Sequence, residues 1–184
     1  MNEDSRSLSD EELVFQSLKE EQFFSILISR YKEKFFYYLK RFAGLKDDDI
    51  EDVVQASFIK IYYHLNSFDQ KLKFSSWAYR IVHNEAIDEL RRRKRSALPL
   101  LDEFDIPDDF CLEDEVDRVL EKKKVAMALG DLKQKHRELL FLRYFEHKEY
   151  KEISDILQKP LGTVCASISR AKKQFKIKYE KYAG

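Results

Sequence analysis

The sequence has little glycine and less proline. Four Gly and three Pro in 184 residues leave no glycine-rich phosphate loop, no dinucleotide-binding fingerprint and too few turns for a β-sandwich. Cysteine is equally scarce. Cys111 and Cys165 form neither a CxxC pair nor a disulfide framework, which fits a reducing compartment and places the chain in the cytoplasm. No apolar run approaches the roughly 20 residues of a membrane span, so no membrane insertion is expected. The opening stretch MNEDSRSLSDEELV is acidic and has no apolar core, so no secretory signal is expected either. An excess of one charge is also missing. Lys and Arg total 34 against 34 Asp and Glu, which excludes a uniformly basic nucleic-acid coat and an acidic disordered tail. What is present is 43% hydrophobic and 14% aromatic residues, ample for a packed core. The balance points to an all-α protein.

Metal and nucleophile constellations are absent as well. A di-iron bundle needs Glu three residues before His. The residues three before His64, His83, His136 and His147 are Ile61, Arg80, Lys133 and Tyr144. There is no HExxH and no Cys/His cluster with zinc spacing. No cofactor, no metal and no catalytic residue is therefore expected.

Periodicity divides the chain in two. Ser9 and Glu12 have capping-box spacing. Phe24, Leu27, Ile28, Tyr31, Phe35, Tyr38, Leu39 and Phe42 follow a helical stripe, with Gly44 suited to end it. Asp47, Asp48 and Asp49 suit the positive start of the next helix, which carries Ile50, Val53, Val54, Phe58, Ile61 and Leu65. NSFDQKLKF reads as a loop, and a further helix runs from about Ser75 to Arg95. From Ala97 to Asp117 periodicity fails. Pro99 and Pro107 punctuate a stretch rich in Asp and Glu, which reads as an extended acidic linker. Beyond it, Leu132, Leu139, Leu142 and Phe145 mark one helix. Tyr150, Ile153 and Leu157 mark a short one, QKPLG a turn, and Val164, Ile168, Ala171 and Phe175 the last. A short helix, a tight turn and a basic helix follow helix-turn-helix grammar.

Two helices carry binding chemistry. Arg80, Asn84, Asp88 and Arg91 share one stripe beside Trp77. Arginine suits phosphates, Asn a base edge and Trp an unpaired base; the plain alternative is a solvated charged helix with Trp77 in the core. On the last helix, the side opposite the apolar residues carries Ala166, Ser169, Arg170 and Lys173, the face that would enter a major groove.

In order and spacing, DDDIEDVVQASFIKIYYHL, FSSWAYRIVHNEAIDELRRRKR and LLFLRYFEHKEYKEISDILQKPLGTVCASISRAKKQF resemble the bacterial sigma-70 family. The resemblance is to its compact extracytoplasmic-function (group IV) members, and it spans about Leu8 to Phe175. It implies two small helical domains: region 2 over 8–96 and the region 4 helix-turn-helix over 118–184, joined by the acidic linker over 97–117. It implies a transcription initiation factor that binds core RNA polymerase and directs it to promoter DNA by reading the minus-10 and minus-35 elements and assisting melting. Asp52 and Gln55 would dock on the polymerase β′ coiled coil, and region 4 on the β-flap. Phe68, Phe74, Trp77, Arg80, Asn84, Asp88, Arg91 and Arg92 would serve the minus-10 element. Thr163, Cys165, Ala166, Ser169, Arg170 and Lys173 would serve the minus-35 element. The linker would thread the RNA channel, and an anti-sigma factor is an implied partner. One departure stands out. After GTV the family commonly has a basic residue, then Ser, then Arg, and here the triplet is Cys165, Ala166, Ser167.

The residues leave two other readings open: a free-standing helix-turn-helix regulator, and a helical enzyme or adaptor. The first gives the Trp77 to Arg95 helix no purpose, and the enzyme has no supporting constellation. A half of about 65 residues buries only about 60% of its unfolded surface, so the two domains are expected to move independently in the free protein.

Overall fold

The computed structural model describes residues 7–70, 72–95 and 115–183, and of residues 115–120 and 183 only the backbone. Among the described residues there are helices and turns and no strand. Helix α1 (Asp10–Ser17) starts at the Ser9 cap, where Glu12 N–H donates to Ser9 Oγ and Ser9 N–H to Glu12 Oε2 at 2.8 Å. Helix α2 (Gln22–Ala43) buries Phe24, Leu27, Tyr31, Phe35, Tyr38, Leu39 and Phe42. It stops at Gly44, whose φ of 62° a β-carbon would disfavour. Helix α3 (Asp47–His64) opens on Asp47, Asp48 and Asp49 and turns Ile50, Val53, Val54, Phe58 and Ile61 inward. A short 3-10 turn (Leu65–Ser67) leads toward α4 (Phe74–Arg95).

The C-terminal half differs from the periodic reading at its start. The expected single helix through Leu132 and Phe145 is two helices, α5 (Glu115–Gly130) and α6 (Gln134–Tyr144). Leu132 lies in the turn between them, its N–H donating to Leu129 O, and Phe145 is the cap that ends α6. Residues 115–117, read as the end of the linker, belong to α5; the rest of that linker, 97–114, lies outside the described residues. Helix α7 (Tyr150–Leu157) ends on Gln158 in the left-handed region, and α8 (Leu161–Ala183) completes the helix-turn-helix. Its inward side is Val164, Ile168 and Ala171, as the stripe requires.

The two halves are packed against each other. Helix α7 packs along α4 and α6 against α2. Leu139, Phe141, Leu142, Ile153, Ile156, Val164 and Ile168 join the core cluster of α1–α4. The expectation of independent halves is corrected by this shared core. A small half that buries too little surface alone gains what it lacks by docking.

Candidate DNA-reading and partner-binding faces

Four surfaces carry the chemistry. The first is the outer side of α4. Asn84, Asp88, Arg91 and Arg92 are exposed and Arg80 is half-buried. Arg91 Nη1 pairs with Asp88 at 3.1 Å and Arg92 Nη2 with Glu89 at 2.7 Å. The Arg91–Asp88 pair is exposed on both sides, so it is worth little and is open to exchange for phosphate. Trp77 is not on that side. It is 8% exposed, with its ring 5.2 Å from Phe68 and 5.9 Å from Phe74. The stacking platform expected at Trp77, with Phe68 and Phe74 beside it, is therefore a buried aromatic triad. It packs Phe68 and Phe74 into the core with Trp77 and offers no open face.

The RRRKR run is not uniformly a basic face either. Arg93 is buried, with Nε 2.6 Å from Glu89 and a further ion pair to Asp49 on α3. It ties the end of α4 to the start of α3. Arg93→Ala takes one partner from each carboxylate, leaving Glu89 with Arg92 alone, and we expect a loss of about 1–3 kcal/mol in stability, read by denaturant melt.

The second surface is the outer side of α8. Thr163, Cys165, Ala166, Ser169, Arg170 and Lys173 are all exposed. Docking of the halves leaves that side uncovered.

The third is a groove of about 640 Å³ between α2 and α3. Ile28, Phe36, Val54, Phe58, Ile59 and Tyr63 give it apolar walls, with Gln55 among them and Lys32 and Glu51 as its charges. Ile59 is 51% and Tyr63 77% exposed. Two large apolar side chains on one helix are thus open to water at the groove. Asp52 is exposed on the same helix.

The fourth is the seam between the halves, which sequence reasoning missed. Glu138 on α6 is 4% exposed. It accepts from Tyr38 Oη at 2.7 Å, and its Oε1 lies 2.6 Å from His83 Nδ1. Tyr79 Oη donates to Glu146, and Lys148 Nζ donates to Ser75 Oγ at 3.2 Å and stands over the Tyr79 ring. Lys73 Nζ pairs with Glu152 at 3.2 Å. The buried Arg41 guanidinium lies 5.0 Å from the centre of the Phe141 ring. Burial pushes the Glu146 carboxyl up and the Lys148 ammonium down from their ordinary values. Burial, followed by the Glu138 charge for Tyr38 and the Glu146 charge for Tyr79, pushes both phenols well up. Each polar partner comes from a different half, at separations of 67 to 100 residues. No local pattern announces such pairs.

Known proteins are similar to this chain in sequence and in fold. Residues 27–96 match the Sigma-70 region 2 family and residues 122–175 the Sigma-70, region 4 family. The chain is 29% identical over 160 residues to the ECF RNA polymerase sigma factor SigW of Bacillus subtilis, covering 81% of this chain and 84% of that protein. It is 30% identical over 184 residues to the ECF RNA polymerase sigma-E factor of Salmonella typhimurium, covering 91% of this chain and 93% of that protein. The structure of CnrH in complex with the cytosolic domain of CnrY is similar with a TM-score of 0.67 and 24% identity, over 91% of this chain and 95% of that one. The sigma factor RpoE in complex with the anti-sigma factor NepR from Bartonella quintana matches with a TM-score of 0.67 and 22% identity, over 85% of this chain and 96% of that one. These two structures share the fold.

Proposed function

Given that the chain belongs to the sigma-70 family, in its extracytoplasmic-function group, we propose a division of labour among its four surfaces. The protein is a transcription initiation factor that binds core RNA polymerase and directs it to promoters. Its action is binding, with no catalytic step of its own, and its place of work is the cytoplasm. Among the described residues no helix is long and apolar enough to cross a membrane.

Region 2 is α1–α4 and region 4 is α5–α8. The α2–α3 groove, with Asp52 and Gln55 at its helix, receives the β′ coiled coil: a helix pair can lay an apolar stripe along it. Asn84, Asp88, Arg91, Arg92 and Arg80 on α4 meet the minus-10 element, with the Phe68, Phe74 and Trp77 triad as the rigid floor beneath the 68–74 turn. Capturing an unstacked base there offsets the few kcal/mol that melting costs. Thr163, Cys165, Ala166, Ser169, Arg170 and Lys173 face the minus-35 major groove, and region 4 meets the β-flap. The observation that supports this reading is that both stripes, apart from half-buried Arg80, are exposed while Val82, Ala86, Val164, Ile168 and Ala171 beside them are buried. Run-off transcription with core polymerase on a genomic promoter library tests it. Promoter-dependent transcripts are expected; operator binding without transcription would favour a free-standing regulator.

The docked halves are the resting state. Helix α7 lies against α4, and α8 against α7, so the two stripes sit on helices whose axes are two packing steps apart, roughly 20 Å. Elements named minus-10 and minus-35 are about 25 base pairs apart, roughly 85 Å of duplex. One docked molecule cannot meet both, so the halves part on the promoter. An anti-sigma factor, the kind of partner seen on RpoE, would act by holding or covering the halves.

The minus-35 face is poor in cations at its start, with Cys165 and Ser167 where the family commonly has basic residues. The double variant Cys165→Lys, Ser167→Arg is expected to tighten minus-35 duplex binding about tenfold and to steepen its salt dependence by about two phosphate contacts. Unchanged affinity and salt slope in a titration would show that these positions do not touch DNA.

A further inference from the structure

Helix α1 lies outside both stretches that match the family, yet it reaches the helix that meets the minus-10 element. Glu11 Oε1 accepts a hydrogen bond from Phe74 N–H at 2.9 Å, across 63 residues of chain. Phe74 is the first residue of α4, so its amide is among the four that no helix carbonyl can satisfy. The preceding residue is Lys73, whose O accepts from Trp77 N–H. A lysine side chain has no acceptor, so the cap position of α4 supplies no cap. Glu11 supplies one from elsewhere, and its charge suits the positive end of a 22-residue helix.

Helix α1 is itself firmly held. Asp10 pairs with Arg30 at 2.6 Å and accepts from Tyr31 Oη, and Arg30 also donates to Leu8 O at 3.0 Å. Leu13 and Val14 are buried in the core. Asp10, Glu11, Gln70, Leu72, Lys73 and Ser75 line one cleft of about 420 Å³. Helix α1 and the residues Gln70, Leu72, Lys73 and Ser75 thus line a single polar cleft, with the Glu11–Phe74 bond beside it.

We propose that Glu11 is a positioning residue for minus-10 recognition: α1 is an external cap that sets the 68–74 turn and the first turn of α4 in the geometry that receives the opened strand. The proposal rests on the reading of that turn as the strand-capturing element. It assigns work in promoter recognition to a segment that both family matches leave out.

The test uses full-length protein assembled with core polymerase. A fluorescent single-stranded oligonucleotide carrying the non-template minus-10 sequence, found from the promoter library, reports strand capture. Glu11→Ala is expected to weaken its binding about fivefold. Affinity for core polymerase and for minus-35 duplex should not change. Glu11→Gln, which keeps an oxygen acceptor for the Phe74 amide, should recover most of the loss. Strand binding by Glu11→Ala at the wild-type level overturns the proposal. So does a Glu11→Gln variant as weak as Glu11→Ala, since the cap would then play no part. An equal loss of strand and core binding in Glu11→Ala overturns it as well, because the role would be general folding. Failure of the wild-type holoenzyme to bind the strand would instead overturn the reading of the 68–74 turn.

Discussion

Glu138→Lys is expected to separate the two halves of the free protein. The Glu138 carboxylate is buried at the seam, and both of its partners, Tyr38 and His83, belong to the other half. Reversing its charge buries an ammonium beside an imidazole and a phenol that no longer has its acceptor. Breaking a buried pair in this way costs about 3–5 kcal/mol, and here the cost falls on docking, since neither partner lies within α5–α8. A compact chain of this length has a radius of gyration of about 16 Å. Small-angle scattering should show a clear rise above that value, while both halves keep their helical circular dichroism. Opening should also strengthen binding to core polymerase, because a docked population lowers the apparent affinity by the fraction that is closed. A gain of about tenfold is expected. Glu138→Gln, which retains an acceptor for Tyr38, should fall between. A scattering profile identical to the wild type would mean that the apolar seam of Phe141, Leu142 and Ile153 holds the halves without Glu138. Opening without any gain in polymerase affinity would mean that docking and polymerase binding do not compete.

The second large effect is expected at the α2–α3 groove. Ile59→Glu places a charge on an apolar wall that is half open to water, so the free protein should tolerate it within about 0.5 kcal/mol. A partner helix seated there would have to bury that carboxylate without a counter-ion. We expect core-polymerase affinity to fall about thirtyfold or more, measured by competition with a labelled reference sigma factor. Asn84→Ala serves as the contrast, since Asn84 is exposed on the other reading surface. It should leave polymerase binding intact and lower promoter opening. Wild-type polymerase affinity in Ile59→Glu would remove the groove from the docking surface.

Much of the molecule was legible from local pattern because its causes are local. The Ser9 and Glu12 cap, the stop at Gly44, the acidic start at Asp47 and the inward stripe of α8 each depend on residues within a few positions of one another. The exposed side of α8 followed from the same stripe. Where sequence reasoning misplaced a side chain, the deciding contact lay outside the polar stripe it was read from. Trp77 looked like a platform because it neighbours a polar stripe in sequence. It is buried because Phe68 and Phe74 fold under it. Arg93 looked like one more cation in a basic run. It is taken up by Asp49, which precedes it by more than two helices' worth of turns.

The order of amino acids determined the all-α class, the two halves and the family, since periodicity, caps and motif spacing are properties of neighbours along the chain. Only the tertiary structure decided that the halves share a core, that Glu138 is buried and Glu146 half-buried at their seam, and that Glu11 caps a helix 63 residues away. Those facts depend on which surfaces meet. A buried carboxylate and a solvated one are written with the same letter, and burial is conferred by the partner across the gap.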